Sequence, residues 1–396
     1  MSVPLAKLGE VCEIRNGATP KTGNRAYWGG GVNWITPAEM GGLENPYVGS
    51  TARTLTQEGL ASCSATLAPP NSVILSSRAP IGYVVINTVP MATNQGCKTV
   101  IPGPDVNYKY LYYFLLSSKS LLNDLGTGAT FLELSARTLK SVDIPLPPVR
   151  EQKRIAAVLD RTSGIVAKYS QKLEEVQIRQ SELRRAHIDA LLGSLDARSE
   201  SLAEVCDVFT DGDWIESKDQ SPAGIRLIQT GNIGNGVYRD RLEKARWISP
   251  ATFDRLRCTE LLPGDVVFSR LPEPVGRACL IPETGTKMIT AVDCTVGRPN
   301  ESVLLPRFLL LYASSGAYFR EVQSMVTGTT RDRISRKNLG RVRIPIPSIA
   351  TQQELLSAAD RAEAGFVSLE SSVERGLQCA EELSAAVLAA AFRGDL

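Results

Sequence analysis

The chain has 396 residues, 43% hydrophobic and 22% charged, and 44 Lys and Arg against 42 Asp and Glu leave a formal net charge of +2. That length suits two or three domains; no apolar run approaches the ~18 residues of a membrane span, and a charge so near neutrality neither requires nor excludes a nucleic-acid partner. Eight cysteines without a CxxC pair read as reduced, mostly buried thiols, and the opening Met1-Ser2-Val3-Pro4-Leu5-Ala6-Lys7 lacks the apolar core of a signal peptide, so the expected compartment is cytoplasmic.

Residues 1–148 read as one mixed block, mainly β. Val11 to Arg15 is a short strand candidate, followed by the turn Asn16-Gly17-Ala18-Thr19-Pro20-Lys21. A Gly-rich aromatic segment, Asn24 to Gly31, leads into Val32-Asn33-Trp34-Ile35. Val73-Ile74-Leu75-Ser76 and Tyr83-Val84-Val85-Ile86 are β-branched strand candidates joined by the turn Arg78-Ala79-Pro80-Ile81-Gly82. Tyr108 to Leu125 reads as one helix.

Residues 149–200 form a long helix and its exit, with a stop at Gly193-Ser194 and a weak point at Ser163-Gly164 where it is expected to break. Residues 201–348 repeat the block layout with diverged sequence. Val266-Val267-Phe268-Ser269-Arg270 echoes Val73 to Arg78, placing Arg270 opposite Arg78, and Phe308 to Tyr312 echoes the helix near Leu111. Cys12 and Cys206 stand at matched strand positions. Residues 349–396 are the second long helix.

The helical stretches are an internal duplication offset by 200 residues. Residues 127–152 and 327–352 share 10 identities in 26 positions without a gap, from Thr127-Gly128-Ala129-Thr130 and Thr327-Gly328-Thr329-Thr330 to Gln152 and Gln352. Beyond them, Ile155, Leu159, Thr162, Val166, Tyr169, Leu173, Val176, Gln180, Leu183, His187 and Ala190 alternate steps of four and three, the seam of a coiled coil. The second copy keeps that register: Leu355, Ala359, Ala362, Phe366, Leu369, Val373, Gly376, Ala380, Leu383, Val387, Ala390. A helix from Arg150 to Leu192 is about 65 Å long and cannot bury its stripe alone, so the expected partner is the other copy, antiparallel. The fold class expected is α+β: two mixed, mainly β domains separated by two long helices in an antiparallel coiled coil, with a pseudo-two-fold internal repeat. Matched spacers with dissimilar blocks suggest one scaffold presenting two recognition surfaces, and pseudo-two-fold symmetry suits duplex DNA.

Nothing in the sequence announces chemistry. There is no Gly-x-x-x-x-Gly-Lys-Ser/Thr phosphate loop and no Asn/Asp-Pro-Pro-Tyr/Phe run; Ala68-Pro69-Pro70-Asn71 is not one. The sole histidine, His187, falls on the helical seam with no metal-ligand partners spaced for it, and reads as a buried or half-buried seam residue.

The order block, helix, block, helix resembles the specificity subunit of a type I restriction-modification system over the whole chain. The residues that carry the resemblance are Leu8-Gly9-Glu10-Val11 with Gly17 to Lys21, the two Thr-Gly turns, Ile144-Pro145-Leu146-Pro147-Pro148 with Glu151-Gln152, and the closing Ala391-Phe392-Arg393-Gly394. The chain departs at Ala350-Thr351-Gln352-Gln353, where the Glu is absent, and the second block lacks a clear Gly-x-Thr-Pro-Lys turn. The resemblance implies a non-catalytic chain with target recognition domains at 1–148 and 201–348 and helical spacers at 149–200 and 349–396. Each domain would read one half of a bipartite double-stranded DNA target, with the helices as ruler and dock for two methyltransferase (M) subunits, joined by restriction (R) subunits. S-adenosylmethionine, ATP and Mg would belong to those partners, and no cofactor or metal to this chain.

Base edges are read mostly by Arg, Lys, Asn and Gln, and phosphates by Lys, Arg, Ser, Thr and backbone amides. The DNA-binding candidates of the first block are Lys21, Asn24, Arg25, Tyr27, Trp28, Asn33 and Thr36, then Arg78, Asn94, Gln95 and Lys98. Those of the second are Lys218, Arg226, Gln229, Asn232, Asn235, Tyr238, Arg239 and Arg270, with Arg331 and Arg333 after the second Thr-Gly turn. Trp28 and Trp34 are more ordinarily core residues than base-stacking ones. Two readings compete. A self-contained adenine methyltransferase lacks its motifs here. A coiled-coil adaptor with two protein-binding domains explains the helices but not why the blocks differ while the spacers match.

Overall fold

The computed structural model describes every residue except 1, 2, 44, 79, 129–131, 194, 329 and 330. Ala129 and Thr130, Thr329 and Thr330 of the repeated turns, Ala79 and Ser194 therefore lie outside the described residues. The chain forms two compact units, Met1–Leu173 with Arg375–Leu396, and Glu174–Glu374.

In the first unit a five-stranded sheet runs in the order Cys12–Asn16, Cys97–Pro102, Val73–Ser77, Ile81–Asn87, Tyr47–Val48. Val73–Ser77 is buried throughout, because both faces of its sheet are covered. Val73 and Leu75 pack with Leu111, Phe114 and Leu115 of the helix Tyr108–Ser117. Ile74, pointing the opposite way, packs with Ile35, Met40 and Cys97. Ile35 ends the strand Trp28–Ile35 of a second sheet, ordered Thr54–Leu55, Trp28–Ile35, Ala92–Thr93. The far side of that sheet makes a third small core, in which Val32, Trp34, Leu55 and Ala92 meet Leu60 and Cys63.

The second unit repeats these layers. Its main sheet is ordered Cys206–Asp211, Cys294–Pro299, Val266–Ser269, Ala278–Leu280. Val266 and Phe268 face Phe308 and Leu309, while Val267 faces Ile228 and Ile233. The second sheet is ordered Gln220–Ser221, Arg246–Ile248, Ile225–Ile228, Met288–Thr290. Blocks that diverged in sequence thus share four strands of the main sheet and three of the second in the same order, the first unit adding Tyr47–Val48 and the second Gln220–Ser221, and the register of the shared strands aligns them. Cys12 pairs with Pro102 and Cys206 with Pro299, the matched cysteine position expected from sequence; a one-residue bulge at Cys206/Val208 then shifts the copies by one.

The two long helices are Val149–Leu192 and Ile349–Arg393. In the first unit Ile155 and Leu159, near the start of one, share a core with Val387, Leu388, Ala391 and Phe392, near the end of the other. In the second unit Gln180 donates to the Phe366 carbonyl at 2.6 Å, and Arg184 pairs with Glu363. Each unit therefore contains an antiparallel helix pair, as the seam pattern leads one to expect.

Several local expectations are corrected. The first long helix does not break at Ser163-Gly164; Gly164 lies in a continuous helix with open space around it. Tyr108 to Leu125 is two helices, Tyr108–Ser117 and Lys119–Asp124, divided at Ser118. The Gly-rich segment Asn24 to Gly31 is divided: Arg25–Tyr27 is a short 3-10 turn, and Trp28 to Gly31 already belong to the strand, where Trp28 and Val32 both register with Leu55, so Gly29-Gly30-Gly31 is looped out between them. Gly29 has φ +83°, and a Cβ on Gly30 would lie 2.5 Å from the Leu55 carbonyl oxygen. One of the two heptad seam positions holds along both helices: Leu159, Val166, Leu173, Gln180 and His187, and Ala359, Phe366, Val373, Ala380 and Val387, each seven apart, are buried or half-buried. Tyr169, Val176, Leu183, Leu369 and Leu383 are exposed, Leu183 at 61% and Leu383 at 52%. These five all stand at the other seam position, which stays buried or half-buried at Ile155 and Thr162 and at Leu355, Ala362, Gly376 and Ala390.

Candidate nucleic-acid interface

The first unit gathers its candidates where two turns close on each other. Gly17 donates to the Cys97 carbonyl at 3.1 Å and Ala18 to the Thr93 carbonyl at 2.9 Å. A Cβ on Gly17 would sit 1.9 Å from the Asn94 carbonyl oxygen, so the approach requires glycine. Asn94 spends its side chain inside this junction: Nδ2 donates to Thr19 Oγ1 at 2.9 Å and Oδ1 accepts from the Gly96 amide at 2.8 Å. Gln95, Lys21 and Arg25 are left exposed around it. Asn24 caps the short turn Arg25–Tyr27 by accepting from the Ala26 amide. Tyr27 and Trp28 are half-buried, with the Trp28 ring edge-on to the core indole of Trp34 at 5.0 Å. Asn33 contacts Thr51 and the Gly49 carbonyl, both at 3.4 Å, and Thr36 caps the turn Pro37–Met40.

Two candidates lie apart from that junction. Lys98 is buried, 3.8 Å from the Glu133 carboxylate, and burial holds its pKa below the ordinary lysine value while Glu133 partly opposes. Arg78 is half-buried, its backbone bridging to Glu133. Sequence reasoning passed over Arg53, whose exposed guanidinium lies 3.8 Å from the Trp28 ring centroid and 5.3 Å from that of Trp34. The signal was weak: a single Arg in a threonine-rich stretch, brought to the indoles only by strand pairing.

In the second unit Lys218 is exposed and pairs with Glu216 at 2.8 Å. Arg226 is buried, 3.1 Å from Asp240, with its guanidinium 5.2 Å from the Trp247 ring centroid. Gln229 is half-buried and its amide donates to Asn232 Oδ1; Asn232 is buried and donates to the Arg239 carbonyl, both at 2.9 Å. That leaves Asn235 and Arg239 exposed on the loop and Tyr238 half-buried, bridging to Ile233. The loop is pinned from beneath by Arg277, which donates to the carbonyls of Ile233 at 2.7 Å, Thr230 at 2.8 Å and Leu271 at 2.8 Å. Burial lowers the pKa of Arg277, which has backbone acceptors in place of a carboxylate.

Arg270 is also buried, 3.3 Å from Asp211 and donating to the Val292 carbonyl. Burial lowers its pKa, with Asp211 opposing. Its expected equivalence to Arg78 is corrected by register. Ser77 donates to Gly96 and accepts from Leu134, and Arg270 donates to Asp293 and accepts from Ile334, so Arg270 stands where Ser77 stands. Arg333 is exposed and pairs with Asp293 at 3.1 Å; Arg331 is exposed. By the same register Glu133 of the first unit occupies the place of Arg333, and Lys98 that of Thr295. The acid of the first unit is replaced by a base in the second.

The candidates thus divide by burial. Lys98, Arg226, Asn232 and Arg270 are buried and spend donors on the protein. Lys21, Arg25, Arg53 and Gln95, and Lys218, Asn235, Arg239 and Arg331, present donors outward, the chemistry that base edges and phosphates accept. Among the described residues no cluster of His, Cys, Asp and Glu could hold a metal ion. His187 is half-buried on the seam, its ring 6.4 Å from that of Phe366.

Comparison with known proteins agrees with this arrangement. The family model for the type I restriction modification DNA specificity domain matches twice, at residues 5–177 and 197–374. The MjaIX specificity subunit of Methanocaldococcus jannaschii is 38% identical over 178 residues, 43% of this chain and 41% of that protein, so this match spans under half of the relative's length. The EcoBI specificity subunit of Escherichia coli is 24% identical over 354 residues, 83% of this chain and 74% of that protein. A solved structure, described for complex assembly and conformational transition of the type I R-M system, superposes with a TM-score of 0.71 at 20% identity, covering 99% of this chain and 98% of that one. At that identity the likeness speaks for the fold. With both copies of the repeat matched by the family model, the chain belongs to the type I restriction modification DNA specificity domain family.

Proposed function

We propose that the chain is the DNA sequence-recognition subunit of a type I restriction-modification complex. One recognition domain reads each half of a bipartite duplex target, and the chain scaffolds two methyltransferase subunits and, with them, restriction subunits. It works in the cytoplasm and carries no cofactor of its own; S-adenosylmethionine, ATP and Mg serve the partners. The observation that carries this reading is the pair of units with one topology and different side chains at equivalent positions, Glu133 against Arg333 and Asn33 against Arg226. A shared scaffold with exchanged polar residues is what two half-sites of different sequence require, since the base-edge pattern differs and the groove does not. No described helix is long and apolar enough to cross a membrane.

The test is a genome-wide map of N6-methyladenine in the host with and without this chain. A two-part motif methylated on both strands should vanish on deletion. An unchanged map in cells that make an active methyltransferase partner would sink the proposal.

A further inference from the structure

The turn that the second block lacked in sequence is present in its structure. Gly212 donates to the Cys294 carbonyl at 2.9 Å and Asp213 to the Thr290 carbonyl at 2.7 Å, the same two bonds that Gly17 and Ala18 make to Cys97 and Thr93. A Cβ on Gly212 would lie 2.3 Å from the Ala291 carbonyl oxygen, the clash that also requires Gly17. Gly212-Asp213-Trp214 is therefore the counterpart of Gly17-Ala18-Thr19, although only the glycine is shared.

We propose that Trp214 is a specificity-determining DNA contact of the second recognition domain, an apolar reader of base edges such as the thymine methyl group. This rests on the reading of the chain as a DNA-recognition subunit. Trp214 is 70% exposed, while its neighbour Ile215 packs against the core of the second sheet. The turn beneath it is held from several sides: Asp213 bridges to Ala291, and its carboxylate accepts from the Thr259 amide at 3.1 Å. At the place of Asn94, which ties Thr19 down in the first unit, the second unit has Ala291, which offers no such bond. The indole Nε1 reaches Glu216 at 3.4 Å, and Lys218 pairs with that carboxylate, so a cation accompanies the ring. The turn also shares an edge with the loop of Gln229 and Asn232, because the Ala291 amide donates to the Ile228 carbonyl. A large ring held outward on a fixed turn, beside polar side chains suited to base edges, loses little freedom on binding.

The experiment uses the full chain with its methyltransferase partner. Methyladenine maps are made for wild type, Trp214→Ala and Trp214→Phe, and the purified complexes are titrated with a duplex carrying the wild-type motif. Trp214→Ala should relax one or two positions of a single half-site, leave the other half and the spacer unchanged, and weaken duplex binding about tenfold; Trp214→Phe should keep most of the affinity. Unchanged motif and affinity in Trp214→Ala would overturn the proposal. So would loss of co-purification with the methyltransferase, which would make Trp214 a protein contact. Loss of methylation with thermal unfolding and co-purification intact, but duplex binding lost, would support it. Absence of any two-part motif in the wild type removes the reading beneath the proposal, and the proposal with it.

Discussion

Gln152 and Gln352, the last identities of the repeated segment, carry a structural duty in each unit. Gln152 accepts from the Asn107 amide at 2.8 Å and donates to the carbonyls of Asp105 at 2.9 Å and Pro147 at 2.8 Å. Gln352 does the same with Leu305, Val303 and Pro347. Both are fully buried, so each bolts the first turn of a long helix to its globular block. Gln152→Leu keeps the bulk but orphans three buried backbone groups, and should destabilise by about 2–4 kcal/mol. Urea unfolding would check this, and a change below about 0.5 kcal/mol would refute it. Lys98 makes the opposite case. It is a buried cation whose carboxylate partner is half exposed and 3.8 Å away. Its folded pKa lies below 10.5, so the unfolded chain binds the proton more tightly and charged Lys98 costs stability at neutral pH. Lys98→Met should raise stability by roughly 1 kcal/mol at pH 7. That gain should shrink as pH rises through the folded pKa toward 10.5, where lysine deprotonates in both states; melting curves at pH 7 and near pH 10 compare the two.

At the scale of elements, the long helices contain glycines of two kinds. Gly164 and Gly365 have open space where a Cβ would go, whereas a Cβ on Gly376 would stand 2.8 Å from Leu173 Cδ1. Gly164→Ala and Gly365→Ala should each stabilise by about 0.5–1 kcal/mol, the helix-propensity difference alone. Gly376→Ala should gain less or lose, because Leu173 has to move. Thermal melts of the three variants decide this; equal gains would show that the packing at Gly376 does not matter. The same helices explain the segment Ala391-Phe392-Arg393-Gly394. The Phe392 ring packs tilted against Tyr110, centroids 5.1 Å apart, and edge-on to Phe114 at 5.6 Å, so the last turn of the second long helix completes the core of the first unit. The missing Glu at Ala350-Thr351 is answered by Ser348, whose hydroxyl accepts from the Thr351 amide at 3.2 Å and caps the second helix.

For the whole molecule, the proposed function ties the unspecified spacer of the DNA target to helix length. One added turn in each long helix lengthens it by about 5.4 Å, against about 3.4 Å per base pair. The methyladenine motif should then gain one or two spacer base pairs with both half-sites unchanged; a changed half-site with the old spacer would refute the ruler. Much of this architecture was legible in sequence. The duplication and the two long helices follow from identities at a fixed offset and from helical periodicity, both local properties of the chain; their antiparallel pairing follows from the block that returns the chain between them, and the family was suggested by resemblance, through short motifs in the order block, helix, block, helix. The heptad held at one seam position and only in part at the other, because periodicity marks an apolar stripe and the packing partner decides how much of it is covered. What sequence could not decide was register. The match of Gly212 to Gly17, the shift of Arg270 onto the place of Ser77, and the burial of Lys98, Arg226 and Asn232 depend on strands far apart in the chain. A strand residue changes face with a one-residue slip, and the bulge after Cys206 is such a slip. Sequence by itself therefore determined the repeat and the spacers, because their pattern is written along one helix. Only the tertiary structure decided which polar side chains face outward, because each orientation is set by pairing between distant strands.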